Sequence, residues 1–181
     1  MEIVINSIMD IPKEADRAKI YQAVKKGNIL LRHGSGLVKE TFAALPQCRE
    51  SQGMTNAQVA DFIMKTRLLP IYRIDIRGFY SASNTIGWNR PGTWVEHINR
   101  RYLGFYEEGD VWGHIWHEIC HMLFFLHQKY FGKTKTVPYV WGYMMRDLFK
   151  KFPFEKYEEK EEFLLVGPKI RVLIENGGVF A

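Results

Sequence analysis

The sequence predicts an α+β domain in which a small mixed sheet packs against helices. Three observations carry this. Ile71-Tyr72-Arg73-Ile74-Asp75-Ile76-Arg77 alternates apolar and polar residues, the period of a half-buried strand. Ala57, Val59, Ala60, Phe62, Ile63 and Met64 recur at helical spacing behind a Thr55/Gln58 capping-box pattern. The stretch from His114 to His127 contains His-Glu-x-x-His, whose two histidines share one face only if the segment is an α-helix.

The remaining elements follow in chain order. Glu2 to Met9 alternates enough for a strand or an extended arm. Asp10 can cap a helix with Pro12 in its first turn, running to about Lys26 and stopping at Gly27-Asn28. Ile29 to Gly36 is apolar and then glycine-rich, which leaves its state open. Leu37 to Leu45 reads as a helix ending before Pro46, and Gln47 to Gly53 as a polar loop. The helix after Thr55 reaches about Thr66, and Pro70 introduces the alternating strand. Arg73, Asp75 and Arg77 share the solvated face of that strand. Thr85 to Trp88 and Thr93 to Asn99 are further strand segments, with a turn at Asn89 to Gly92 between them. Glu107, Glu108 and Asp110 stand where negative charge favours the start of the histidine-bearing helix. Gly132 to Thr136 is a basic loop, and Pro138 suits the first turn of a helix reaching about Phe149 and stopped before Pro153. Glu155 to Glu162 reads as a solvated helix face, Lys169 to Ile174 as a last strand, and Gly177-Gly178 as a frayed end. The length suits one domain over 1–181, with a helical N-terminal part (1–69), a core carrying the histidine helix (70–150) and a C-terminal appendage (151–181).

The chemistry is concentrated in α-helical His117, Glu118 and His121. Two neutral imidazoles one turn apart can reach one Zn²⁺ at about 2.0–2.1 Å. Glu118 is displaced about a quarter turn, near the metal without binding it, where it can take a proton from a metal-bound water and pass it to a leaving amine. Catalytic zinc needs a third protein ligand and an open position. An unbroken helix would swing His127 roughly 80° off the ligand face. His127 therefore binds only if the helix ends after about Leu123 to Phe125 and the chain turns back. His114, one turn before His117, reads as a polar supporting histidine and is the first substitute ligand. His97 reads as a surface or cleft histidine, and Cys120 as a small buried apolar residue.

With those residues in view, the pattern resembles the metzincin metallopeptidases, whose signature is His-Glu-x-x-His-x-x-Gly-x-x-His. His117, Glu118, His121 and His127 match it. A group of small metzincin-like proteins of bacteria and phages is similar over roughly residues 86–149, where Val137-Pro138-Tyr139-Val140-Trp141-Gly142-Tyr143 follows the histidine helix. The resemblance implies a zincin-like fold, a Zn²⁺ cofactor and hydrolysis of a peptide or protein substrate. It also implies that the strand just before the helix, here Thr93 to Asn99, is a free sheet edge with which extended peptide pairs. Metzincins place a methionine turn beneath the metal, but Met144 and Met145 fall within helix and read as core. Tyr139 and Tyr143 are either packed aromatics or donors to a transition-state oxyanion. The sequence departs from the family where its glycine falls on Phe124. That glycine permits the positive φ that ends the helix, and an aromatic residue there is disfavoured. Either the turn is built differently or His127 does not bind.

Composition bounds the rest. A chain that is 46% hydrophobic and 14% aromatic is able to build a packed core and is not of the disordered class. Two cysteines, Cys48 and Cys120, make no disulfide framework. With no long apolar run and no signal-peptide pattern at residues 1–6, a cytoplasmic protein without a membrane partner is expected. The net charge of +5 admits an anionic partner such as nucleic acid, but the basic residues are scattered and read as solvated surface. Two rival functions stand behind the peptidase. Bacterial ribosomal-RNA maturation endoribonucleases share the three-histidine spacing but usually lack the glutamate. A non-catalytic zinc-binding protein would tolerate Phe124. Nothing in the sequence states the oligomeric state.

Overall fold

The computed structural model describes residues 2–65, 71–127 and 133–157. The fold is α+β. In chain order the elements are β1 (Glu2–Met9), α1 (Glu14–Ala44), α2 (Asn56–Lys65), β2 (Ile71–Phe79), β3 (Gly87–Asn89), β4 (Val95–Asn99), α3 (Arg100–Leu103), α4 (Glu108–Met122) and α5 (Val137–Lys151). A short 3-10 turn at Lys133–Lys135 precedes α5. The expected strand 169–174, the glycine pair 177–178 and all but residues 155–157 of the charged segment lie outside the described residues.

The sheet has four strands in the order β1-β2-β4-β3. β1 and β4 each run parallel to β2, and β3 is antiparallel to β4. It is therefore mixed, as expected. Tyr72, Ile74 and Ile76 of β2 and Ile98 of β4 turn inward, while Arg73 and Arg77 stay in solvent. The expectation that residues 93–99 form the free edge is corrected. β4 has a neighbour on each side, and the edge nearest the histidine helix is β3. The chain makes a hairpin after the parallel pair, and in a hairpin either arm can lie outermost. The sequence carries no residue that distinguishes the two.

α1 also departs from expectation. Asp10 is not its cap; that residue has φ 60, and the helix is entered through Lys13. Gly27-Asn28 does not stop it. The helix continues to Ala44 with a kink at Gly34. Both residues are used for packing. A side chain at Gly27 would collide with the Trp112 indole, so the glycine lets α1 and α4 approach closely. Asn28 is buried, and its amide oxygen and nitrogen each bond the backbone of Ile3 at 2.8 Å, standing in for a strand beside β1. The Thr55/Gln58 box forms as predicted. Thr55 N donates to the Gln58 side chain at 2.8 Å and Gln58 N to Thr55 Oγ1 at 3.3 Å.

α4 packs between α1, α5 and the sheet. Trp112 and Trp116 meet edge to face at 5.8 Å, Tyr72 of β2 lies edge-on to Trp116 at 6.3 Å, and Trp141 of α5 closes the cluster at 5.9 Å. Tyr72 and these three tryptophans are fully buried, so their apolar area anchors the helix from three sides. Cys48 and Cys120 are both buried and free. Among the described residues no helix is long and apolar enough to cross a membrane.

Candidate metal centre

α4 divides its faces as the sequence requires. Val111, Trp112, Ile115, Trp116, Ile119 and Cys120 are buried in the core. His114, His117 and His121 lie on the opposite face, over a cleft of about 790 Å³. The helix opens with Asp110 accepting from Glu107 N at 3.1 Å, so the predicted acidic start is in place. α5 approaches the same face at backbone distance. A Cβ at Gly142 would stand 2.8 Å from Gly113 O and 3.1 Å from His117 Cβ. That contact fixes the His117 side of the site.

The end of α4 answers the question posed by Phe124. The helix stops at Met122 and Phe124 itself takes φ 66. Its N–H donates to His121 O at 2.9 Å, and the Phe125 N–H to Cys120 O at 2.9 Å. This is the Schellman arrangement, with an aromatic residue where glycine is usual. Two contacts hold it: Gln52 Nε2 donates to Phe124 O at 2.9 Å, and Phe125 is fully buried with its ring edge-on to Phe62 at 5.8 Å. The Phe124 ring is 61% exposed and contributes little burial. Left-handed backbone costs a side-chain-bearing residue about 1–2 kcal/mol, and the extra freedom of glycine returns about 0.5–1 kcal/mol. Phe124→Gly is therefore expected to stabilise the fold by up to about 1 kcal/mol, read as a higher urea midpoint, with the metal site intact. A lower midpoint would show that the exposed ring matters more than the strain.

The turn brings His127 back. His117, His121 and His127 present ring nitrogens all within 4.8 Å of one another. His121 Nδ1 lies 2.7 Å from Phe125 O, and since a carbonyl only accepts, Nδ1 carries the proton. In the neutral His121 ring Nε2 is then a bare lone pair. It faces His117 Nε2 at 3.2 Å. Burial lowers the pKa of both rings, so both stay neutral. Against that larger lowering, the Pro138 backbone beside His117 raises the pKa of its ring slightly. The pair either shares the His117 ring proton as a hydrogen bond or, with that proton on Nδ1, presents two lone pairs to a cation. Tetrahedral Zn–N bonds of about 2.05 Å place ligand nitrogens about 3.3 Å apart, so the donor set fits a metal ion. Tyr139 packs on His117 and His127 with ring centres at 4.6 and 5.2 Å, which makes it part of the wall holding the imidazoles. Tyr143 is half exposed on the cleft. Met144 and Met145 are buried helix residues, as expected.

Glu118 is 2% exposed and its Oε2 is buried without a hydrogen-bond partner. Burial pushes its carboxyl up to about 8. His114 does not join the three histidines. It points to Glu118 with Nδ1 at 4.0 Å from Oε1, and to Glu96 with Nε2 at 3.5 Å from Oε1. His97 stacks on Trp88 at 3.6 Å and stays out of the cluster. Sequence reasoning missed Glu96, which is fully buried with neither oxygen hydrogen-bonded. The available signal was alternation. Glu96 occupies an inward position of β4, two residues before buried Ile98, where an apolar side chain is the rule.

The Glu118 shift has a measurable sign. Its folded pKa, about 8, lies above the ordinary value of 4.5, so between these pH values the folded metal-free protein keeps a proton that the unfolded chain has lost. Stability then falls as pH rises across this window. Glu118→Gln removes the effect. The metal-free variant is expected to melt several degrees above the metal-free parent at pH 8, and the gap should close towards pH 5. A gap that stays constant with pH would contradict it.

Comparison with known proteins found no matching family model, no matching curated protein and no matching solved structure.

Proposed function

We propose that this chain is a zinc-dependent metallopeptidase with a zincin-like, metzincin-like arrangement, hydrolysing peptide bonds with Glu118 as general base and then acid. The observation that carries the reading is the three-imidazole cluster, with His117 Nε2 and His121 Nε2 at 3.2 Å, the His121 ring oriented by a backbone carbonyl, and a buried carboxyl next in sequence to His117. His117, His121 and His127 would hold the ion. When bound, Zn²⁺ would polarise the scissile carbonyl and make a water acidic enough to attack near neutral pH. Glu118 accepts the proton of the attacking water at Oε2 and delivers it to the departing amine nitrogen. The outer edge of β3 borders the cleft, and an extended substrate would add to the sheet there through main-chain hydrogen bonds.

The test is to incubate the zinc-loaded protein with a mixed peptide library and, separately, with structured and single-stranded RNA. Chelator-sensitive peptide cleavage is expected. RNA cleavage without peptide cleavage would establish the endoribonuclease instead, and cleavage of neither would favour a non-catalytic zinc protein.

A further inference from the structure

Beneath the three-histidine cluster lies a second polar group that metal binding does not use. Glu96 from β4, His114 from the second turn of α4 and Glu118 one turn later form a continuous chain, with side-chain exposures of 0%, 9% and 3%. The fold makes room for it deliberately. A side chain at Gly87 of β3 would collide with His114 Nε2, so the glycine is what allows the imidazole to lie under the edge strand. Glu96 replaces an apolar residue on the inward face of β4, and a carboxyl buried there without compensation costs several kcal/mol. Such a group is usually kept for a reason other than stability.

The two ring nitrogens of His114 face two different carboxyls. This suits a relay of hydrogen bonds. Burial favours the uncharged forms of Glu96 and His114. A protonated Glu96 donates towards His114 Nε2, which leaves the ring proton on Nδ1, directed at Glu118 Oε1. The separations of 3.5 and 4.0 Å are long for hydrogen bonds, as such contacts often are before substrate or a substrate-like ligand binds. Oε1 is then the held oxygen, and Oε2 is left for proton transfer.

We propose that Glu96 and His114 are positioning residues for Glu118: Glu96 sets the tautomer of His114, and His114 aims the Glu118 carboxylate across the metal site. The inference rests on the peptidase reading of Glu118, and its test has a readout that does not need turnover. The probe is acetohydroxamate, which chelates a zinc ion and hands its proton to a carboxylate beside it, so its affinity reports how well Glu118 is aimed. Zinc content and acetohydroxamate Kd are measured for the parent, Glu96→Leu, Glu96→Gln, Glu118→Gln and the double variant Glu96→Leu/Glu118→Gln. Glu96→Leu replaces a buried carboxyl by an apolar group of similar size, so folding is not at risk.

Glu96→Leu is expected to keep its zinc and to bind acetohydroxamate about tenfold more weakly, the lower end of what losing an outer-shell partner costs. Glu96→Gln, whose amide can still donate to His114 Nε2, should recover most of that loss. The double variant should bind no more weakly than Glu118→Gln alone, because both changes act through one carboxylate. On a cleaved peptide, Glu96→Leu should lower kcat and leave KM unchanged. Unchanged acetohydroxamate affinity in Glu96→Leu, or additive losses in the double variant, would overturn the proposal. A zinc-loaded protein that cleaves no peptide but shows the coupling would overturn the peptidase reading and support the positioning role. A protein that takes up no zinc would overturn both.

Discussion

Glutamine at position 118 is expected to lower peptide turnover by about 10²–10⁴ while the protein keeps its zinc, the loss typical of removing a general acid–base. Glutamine preserves the shape of the side chain and one acceptor oxygen but cannot take a proton. The zinc should stay because Glu118 lies outside the ligand set, which is His117, His121 and His127. The same substitution removes a buried ionisable group, so the fold should not weaken, and lost activity cannot be ascribed to unfolding. KM should change little, since the missing step is proton transfer and not substrate binding. Steady-state kinetics beside elemental analysis of the same sample checks both halves. Full activity in Glu118→Gln would remove Glu118 from the mechanism. Loss of zinc in it would mean that the ion is held in another way.

Alanine at His121 is expected to empty the metal site, and to do so more completely than alanine at His127. The purified parent should carry about one zinc per chain, as three neutral imidazoles suit that ion. His121 supplies one ligand nitrogen and, through Nδ1, also bonds Phe125 O at 2.7 Å, inside the turn that returns the chain to His127. Removing it takes away a ligand and loosens the turn that positions another. His127 supplies only itself. Zinc affinity should therefore fall in His127→Ala, and fall further in His121→Ala, beyond the roughly 10–100-fold cost of losing an outer-shell partner. Competition with a chromophoric chelator gives the two affinities. Equal losses would show that the Gln52 bond and Phe125 burial hold the turn without His121. Retention of zinc in both would refute the three-histidine site.

Much of the site was legible because it lies on one regular element. Helical period alone puts His117 and His121 together and Glu118 beside them, and the acidic run at Glu107 to Asp110 marks where that helix begins. The alternation of residues 71–77 likewise predicted β2 and its solvated arginines, and Pro138 predicted the start of α5. The misreadings occur where a residue has two physical uses. Gly27-Asn28 looks like a helix stop, because glycine and asparagine tolerate left-handed backbone. In the fold the glycine admits Trp112 and the asparagine satisfies Ile3. Asp10 looks like a helix cap and instead takes positive φ two residues before Pro12.

What the sequence by itself determined is local: the histidine pair, its glutamate, and the periods of the helices and strands around them. These follow from geometry that repeats every 3.6 or every 2 residues. What only the tertiary structure decided is non-local. Whether Phe124 could turn the chain depended on Gln52 and on the buried seat of Phe125, which come from distant segments. Whether β3 or β4 is the edge depended on which arm of a hairpin pairs with β2. The meeting of Glu96 with His114 required a strand and a helix to be packed with a glycine between them. Backbone strain and buried charge are tolerated only when neighbours compensate for them, and a linear sequence does not state who the neighbours are.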